Sequence, residues 1–145
     1  MGEDRSFALI LTAAGSSTRL AMGCKKEFLT LEGVPVLRRA FLPFLESGLF
    51  SRFVVTYTAG LKAETEAALG FELPEVVFVE GGETRQASVF RALNALSQYA
   101  PDYVLIHDGA RPWVTRATVV SVAEETVRSG AAAPFVQSVD ALNGI

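Results

Sequence analysis

Apolar residues gather in short, continuous runs rather than alternating with polar ones. Phe7–Leu11 comes first, then Phe53–Tyr57, Val76–Val79 and Tyr103–Ile106, with Ala132–Val136 a weaker fifth. Runs of this kind are expected of strands covered on both faces. Helical spacing fills the intervals. Val36, Leu37, Ala40, Phe41, Phe44 and Leu45 recur at the helical period. Pro35 suits the first turn of that helix, and Pro43 should kink or end it. Leu61–Leu69 is a second helix, closed by Gly70. Ser88–Leu96 is a third, with Val89, Ala92, Leu93 and Leu96 on one face. Val119–Val127 is a fourth, with Thr115 or Thr118 as its cap and Gly130 as its stop.

Strand and helix in alternation predict an α/β layered domain of Rossmann-like type, with a mostly parallel sheet and helices on both faces. Ligands of such sheets gather at the carboxyl ends of the strands. The 145 residues fit one compact domain, 1–145, without repeats or linkers.

Half of the sequence is hydrophobic, enough for a sizeable core, and the formal net charge is −3. That charge argues against nucleic acid as a partner, because backbone binders carry a broad basic patch. It leaves room for a phosphate pocket, which needs only two or three basic groups. Cys24 is the only cysteine, so no intrachain disulfide forms, and a reducing cytoplasmic setting fits. The apolar run after the polar amino terminus is too short for a signal or a membrane span, so no membrane partner is expected.

Three polar motifs fall at strand ends. Leu11–Leu20 reads Leu-Thr-Ala-Ala-Gly-Ser-Ser-Thr-Arg-Leu. Small residues there admit a nucleotide close to the backbone, and Gly15 can take a positive φ. Successive N–H groups in such a turn form an anion nest, and Arg19 adds a fixed charge. Lys25 and Lys26 follow closely and supply ammonium groups near the same loop. The Gly-Lys-Ser/Thr ending of a P-loop is absent, as is the glycine spacing of the dinucleotide fingerprint. The second motif runs from Gly81 to Val89. Its two glycines permit close approach of a planar base, and Ser88 opens a helix with its hydroxyl to offer. The third, His107-Asp108-Gly109-Ala110-Arg111-Pro112, places a carboxylate where it can hold Mg²⁺ through oxygen, with Arg111 able to pair with a phosphate. Each motif taken singly also has a plain reading: a tight turn, a capped helix start, a surface Asp–Arg pair. His107, the only histidine, reads as a packed strand-end residue rather than a base or metal ligand.

Taken together, the three motifs resemble, in order and spacing, the 2-C-methyl-D-erythritol 4-phosphate cytidylyltransferase family of nucleotidyltransferases, which serves isoprenoid precursor synthesis. The resemblance implies a fold of nucleotidyltransferase type and the transfer of CMP from CTP to a sugar-alcohol phosphate, with release of pyrophosphate. It implies that Ala13, Ala14 and Gly15 line the CTP site, that Arg19 and Lys26 grip the triphosphate and stabilise the transition state, and that Gly81, Gly82 and Ser88 read the cytosine. It further implies Asp108 as the Mg²⁺ ligand, Gly109 beside the ribose, Arg111 towards the sugar phosphate, and a homodimer. Ribitol 5-phosphate is the alternative acceptor, and a CTP-binding domain without turnover is the alternative of another class.

The sequence also departs from the family pattern. A glycine is usual near Ser17, a proline is common at the position of Lys25, and Asp140–Asn143 matches the family's Asp-Thr-Ile-Lys only in part. Family members run longer, so truncation at the carboxyl terminus relative to them is expected.

Overall fold

The computed structural model describes residues 6–14 and 25–130. The elements in sequence order are β1 (Phe7–Thr12), β2 (Thr30–Leu31), β3 (Val34–Pro35), α1 (Val36–Ser47), β4 (Phe50–Tyr57), α2 (Lys62–Leu69), β5 (Val76–Glu80), α3 (Arg85–Leu96), β6 (Tyr103–Asp108) and α4 (Arg116–Ser129). Short 3₁₀ turns at Lys26–Phe28 and Ser97–Tyr99 complete them.

Four strands form one sheet in the order β5-β4-β1-β6, with every pairing parallel. The polypeptide moves outward from β1 to β4 and β5, then returns to lay β6 on the other side of β1. That reversal makes the carboxyl ends of β1 and β6 the switch point where a crevice opens in folds of this kind. All six residues of β1 are buried. Phe7, Leu9 and Leu11 pack with Leu37, Ala40 and Phe41 of α1, Leu69 of α2 and Val119 and Ala123 of α4. Ala8 and Ile10 face the other way, onto Ala92 and Leu96 of α3. Helices therefore cover both faces, and the expected α/β architecture holds. No helix among the described residues is long and apolar enough to cross a membrane.

Several local expectations need correction. α1 runs through Pro43 to Ser47, so the proline does not end it; Phe41 and Phe44 on either side of it are buried in the core and hold that turn in place. α1 closes instead at Gly48, in the left-handed conformation. Pro35 lies in β3, just before the first helical turn. β2 and β3 form a small antiparallel hairpin that apolar spacing does not reveal. Its turn places Glu32 at φ 53° and Gly33 at φ 81°, the positive values that tight two-residue hairpins require. α3 begins at Arg85, three residues before Ser88, because the Thr84 hydroxyl accepts from the Ala87 N–H at 3.0 Å and supplies the cap. Thr115 plays the same part for α4, accepting from the Thr118 N–H at 3.1 Å. The fifth apolar run, Ala132–Val136, lies outside the described residues.

Phe41 is the largest fully buried side chain among the described residues. It meets Phe53 edge-on at 5.0 Å between centroids and Phe71 at 5.7 Å. Phe41→Ala should lower the unfolding free energy by about 3–5 kcal/mol. Urea unfolding measures this, and a loss under about 1 kcal/mol would show that α1 does not anchor the core.

Candidate active site

The sheet delivers the motifs to one place. Thr12 ends β1, and Asp108, its partner in register, ends β6. Ala13 and Ala14 follow Thr12 out of the sheet. The Ala13 N–H donates to the Thr56 carbonyl at 3.1 Å and to the Thr56 hydroxyl at 3.2 Å, and the Ala14 N–H reaches the same hydroxyl at 3.3 Å. These two N–H groups are thus used by β4. The anion nest expected of this loop cannot include them as they stand. Gly15 and Arg19, expected to take part there, lie outside the described residues.

The second motif docks directly on this turn. A Cβ added at Gly81 would stand 2.3 Å from the Ala14 methyl and 2.6 Å from Ser88 Oγ, so only glycine lets the two loops meet. At Gly82 an added Cβ would stand 2.5 Å from the Ala87 methyl. The close approach expected of these glycines is therefore, first of all, an approach to the protein's own backbone and side chains. Ser88 is fully buried inside α3. Its hydroxyl donates to the Thr84 carbonyl at 3.1 Å and accepts from the Gly82 N–H at 3.0 Å. In this arrangement Ser88 shapes the glycine loop from beneath. Arg91 adds long contacts of 3.4 and 3.3 Å to the carbonyls of Glu80 and Gly81.

The third motif closes the other side. The Gly109 N–H donates to the Thr12 carbonyl at 2.8 Å, and a Cβ at Gly109 would stand 3.0 Å from that same oxygen. Asp108 keeps a half-exposed carboxylate. One oxygen accepts from the Ala110 N–H at 2.9 Å, and the other lies 3.7 Å from Arg111 Nε. The surface Asp–Arg pair is present, in line with the plain reading of that motif. His107 packs its ring 5.1 Å from Phe44, and its Nε2 lies 3.0 Å from the Arg111 carbonyl. A carbonyl only accepts, so Nε2 carries a proton there. Burial pushes the imidazole below its ordinary value, opposed by the Arg111 carbonyl and by Asp108 and reinforced by Arg111 and Arg85.

Two participants, Arg85 and Thr56, escape a reading by motif, and Lys25, expected to offer an ammonium near the loop, is instead turned inward. Arg85 extends from the start of α3 and donates through Nη1 to Thr12 Oγ1 at 3.1 Å, which brings a guanidinium to the end of β1. It lies inside the second motif, where the sequence gives it no role. Thr56 is buried, and in sequence it is one more β-strand residue. Lys25 is buried too, whereas its neighbour Lys26 is exposed. Lys26 opens the 3₁₀ turn held down by buried Glu27 and by Phe28, which packs on the main core. The adjacent lysines are thus divided between interior and surface.

Asp108 is the oxygen donor of the site suited to a hard cation. No group of three or more His, Cys, Asp or Glu able to hold a metal occurs among the described residues. An all-protein cage is therefore lacking there, but Mg²⁺ commonly keeps waters and binds through one or two carboxylates plus substrate phosphates. A single accessible aspartate at a strand's carboxyl end fits that habit.

The IspD family model, described as 2-C-methyl-D-erythritol 4-phosphate cytidylyltransferase, matches residues 7–144. A bifunctional enzyme IspD/IspF of Rhodopseudomonas palustris (strain HaA2) is 39% identical over 130 residues, 89% of this chain and 32% of that one. A 2-C-methyl-D-erythritol 4-phosphate cytidylyltransferase of Acidobacterium capsulatum is 36% identical over 145 residues, 94% of this chain and 60% of its own. The sequence therefore spans 32% of the bifunctional relative and 60% of the shorter one. Among solved structures, the 4-diphosphocytidyl-2C-methyl-D-erythritol synthase of Anaerococcus prevotii superposes with a TM-score of 0.71 over 88% of this chain and 53% of that one, at 22% identity, a likeness of fold.

The histidine gives the site a pH signature. Its folded value lies below the unfolded 6.5, so the unfolded state takes up the proton first as pH falls. The stability it contributes is complete above 6.5 and is lost as pH drops through the folded value. His107→Gln should therefore flatten the fall in Tm as pH drops below about 6.5. An unchanged slope in the variant would assign the acid loss to other groups. Glu27 cannot mimic the effect, because burial raises its value and its contribution runs the opposite way, present at low pH and lost as pH rises.

Proposed function

Because the chain belongs to the IspD family, the 2-C-methyl-D-erythritol 4-phosphate cytidylyltransferases, we propose that its β1–β6 crevice binds CTP and transfers CMP to 2-C-methyl-D-erythritol 4-phosphate, as the nucleotide-binding domain of such an enzyme. The observation that carries this reading is the convergence of three separate motifs on Thr12–Ala14 at the switch point of a parallel sheet, with Asp108 and Arg85 beside them.

The acceptor's phosphate monoester is already an anionic nucleophile near neutral pH. It attacks the α-phosphorus of CTP, a new P–O bond forms, and the α–β bridging bond breaks as pyrophosphate departs. No strong general base is needed, in keeping with a single histidine that donates to a backbone carbonyl. The protein's work is positioning and neutralisation of charge. Ala13, Ala14 and Gly15 line the nucleotide. Gly81 and Gly82, shaped by Ser88, present backbone to the cytosine, whose amine can donate to a carbonyl. Gly109 lies by the ribose. Arg19 and the exposed Lys26 grip the triphosphate and stabilise the transition state, and Arg111 faces the sugar phosphate. Asp108 would hold Mg²⁺, which screens phosphate charge when bound. A reducing cytosol, in keeping with the single cysteine, and a homodimeric state, by family, complete the reading.

Pyrophosphate release given CTP and Mg²⁺, with methylerythritol phosphate or ribitol 5-phosphate as acceptor, tests the proposal. Release should require the former, and Lys26→Ala should lower kcat by about 10²-fold or more. Release with ribitol 5-phosphate alone would overturn the acceptor. Near-normal turnover in the variant would remove Lys26 from the mechanism.

A further inference from the structure

Lys25 and Glu27 form a buried ion pair beneath the turn that ends β1, and the transfer chemistry uses neither. Lys25 is 5% exposed and Glu27 3%. Interior lysines are rare because burial penalises the charged form, so an interior ammonium needs specific partners. Lys25 Nζ donates to the Ala13 carbonyl at 2.9 Å and to the Thr58 hydroxyl at 3.0 Å, and Glu27 Oε1 stands 4.0 Å away. That carboxylate oxygen makes no hydrogen bond among the described residues.

These contacts complete a clamp. Thr56 takes the N–H groups of Ala13 and Ala14 from the β4 side. Lys25 takes the carbonyl of Ala13 and is itself steadied by Thr58, just beyond the end of β4. Ala13 is thereby held by both of its peptide groups. Lys26, next to Lys25, shares this anchor.

We propose that Lys25 is a positioning residue for nucleotide binding, acting through the Ala13 carbonyl, with Glu27 as the counter-charge that allows an ammonium to sit there. The inference rests on the reading of this turn as the CTP site. A turn held at Ala13 beforehand saves the cost of ordering it when the nucleotide arrives.

Titration calorimetry with CTP and Mg²⁺, alongside thermal unfolding, tests this on the 145-residue protein. Lys25→Met keeps the aliphatic stem and removes the ammonium. It should weaken CTP binding about tenfold and lower Tm. Adding Glu27→Gln to that variant removes the stranded carboxylate, so Tm should recover while CTP binding stays weak. Recovery of both together, or unaltered binding in Lys25→Met, would reduce Lys25 to a stability residue and overturn the proposal. Failure of Tm to recover would overturn the role given to Glu27. Should Lys25→Met not fold, Thr58→Val removes only the hydroxyl that steadies the ammonium. Binding should then weaken about threefold at nearly constant Tm, and unchanged binding would overturn the proposal. Absence of CTP binding by the unaltered protein is a different failure, which sinks the nucleotide reading itself.

Discussion

The end of β1 is the constraint on which the rest depends. This strand has a parallel neighbour on each side and a packed helix layer on each face, so its exit is fixed by the whole core. Thr12, Ala13 and Ala14 then receive contacts from every other part of the site: Thr56 from β4, Gly109 from the loop after β6, Arg85 and Gly81 from the loop and helix after β5, and Lys25 from the segment that returns to the sheet. Displacing those three residues would move all of these groups at once. The glycines matter for the same reason. Gly81 and Gly109 are small where a methyl would push on Ala14 or on the Thr12 carbonyl.

This architecture suits a reaction that asks for geometry and charge rather than a strong base. Cations and a carboxylate are distributed around the strand ends: Arg111 beside Asp108, Arg85 on Thr12, and Lys26 exposed on a turn whose other side chains are anchored. The one histidine is turned to structure, its Nε2 proton on a backbone carbonyl and its ring against Phe44. The clefts lined by Arg52, Glu75 and Tyr99 and by Glu66, Phe71 and Phe78 contain none of the motif residues.

Much of this is legible in the sequence, for a physical reason. Strands buried on both faces must be continuously apolar, so β1, β4, β5 and β6 stand out, and turns at strand ends concentrate glycine and small polar residues. Elements that obey no apolar period are invisible. β2 and β3 are two residues each, and their hairpin turn reads as a generic Glu-Gly pair. Thr84 and Ser88 each offer a hydroxyl to cap α3, and only the path of the backbone decides for Thr84. Pro43 reads as a helix end, though packing around Phe41 and Phe44 keeps that helix going. In the site, chemistry points to Asp108 and Lys26. It cannot identify Lys25 or Thr56, whose importance comes from where they are buried and not from what they are. Lys25 beside Lys26 carries one faint signal, a charged residue at a position where the related family favours proline.

The amide spectrum of the protein titrated with CTP and Mg²⁺ tests the nucleotide site most directly. The largest shifts should fall at Ala13, Ala14, Gly81, Gly82 and Gly109, around the end of β1. Shifts centred on the Arg52–Tyr99 cleft, or none at these five positions under saturating CTP, would contradict that site.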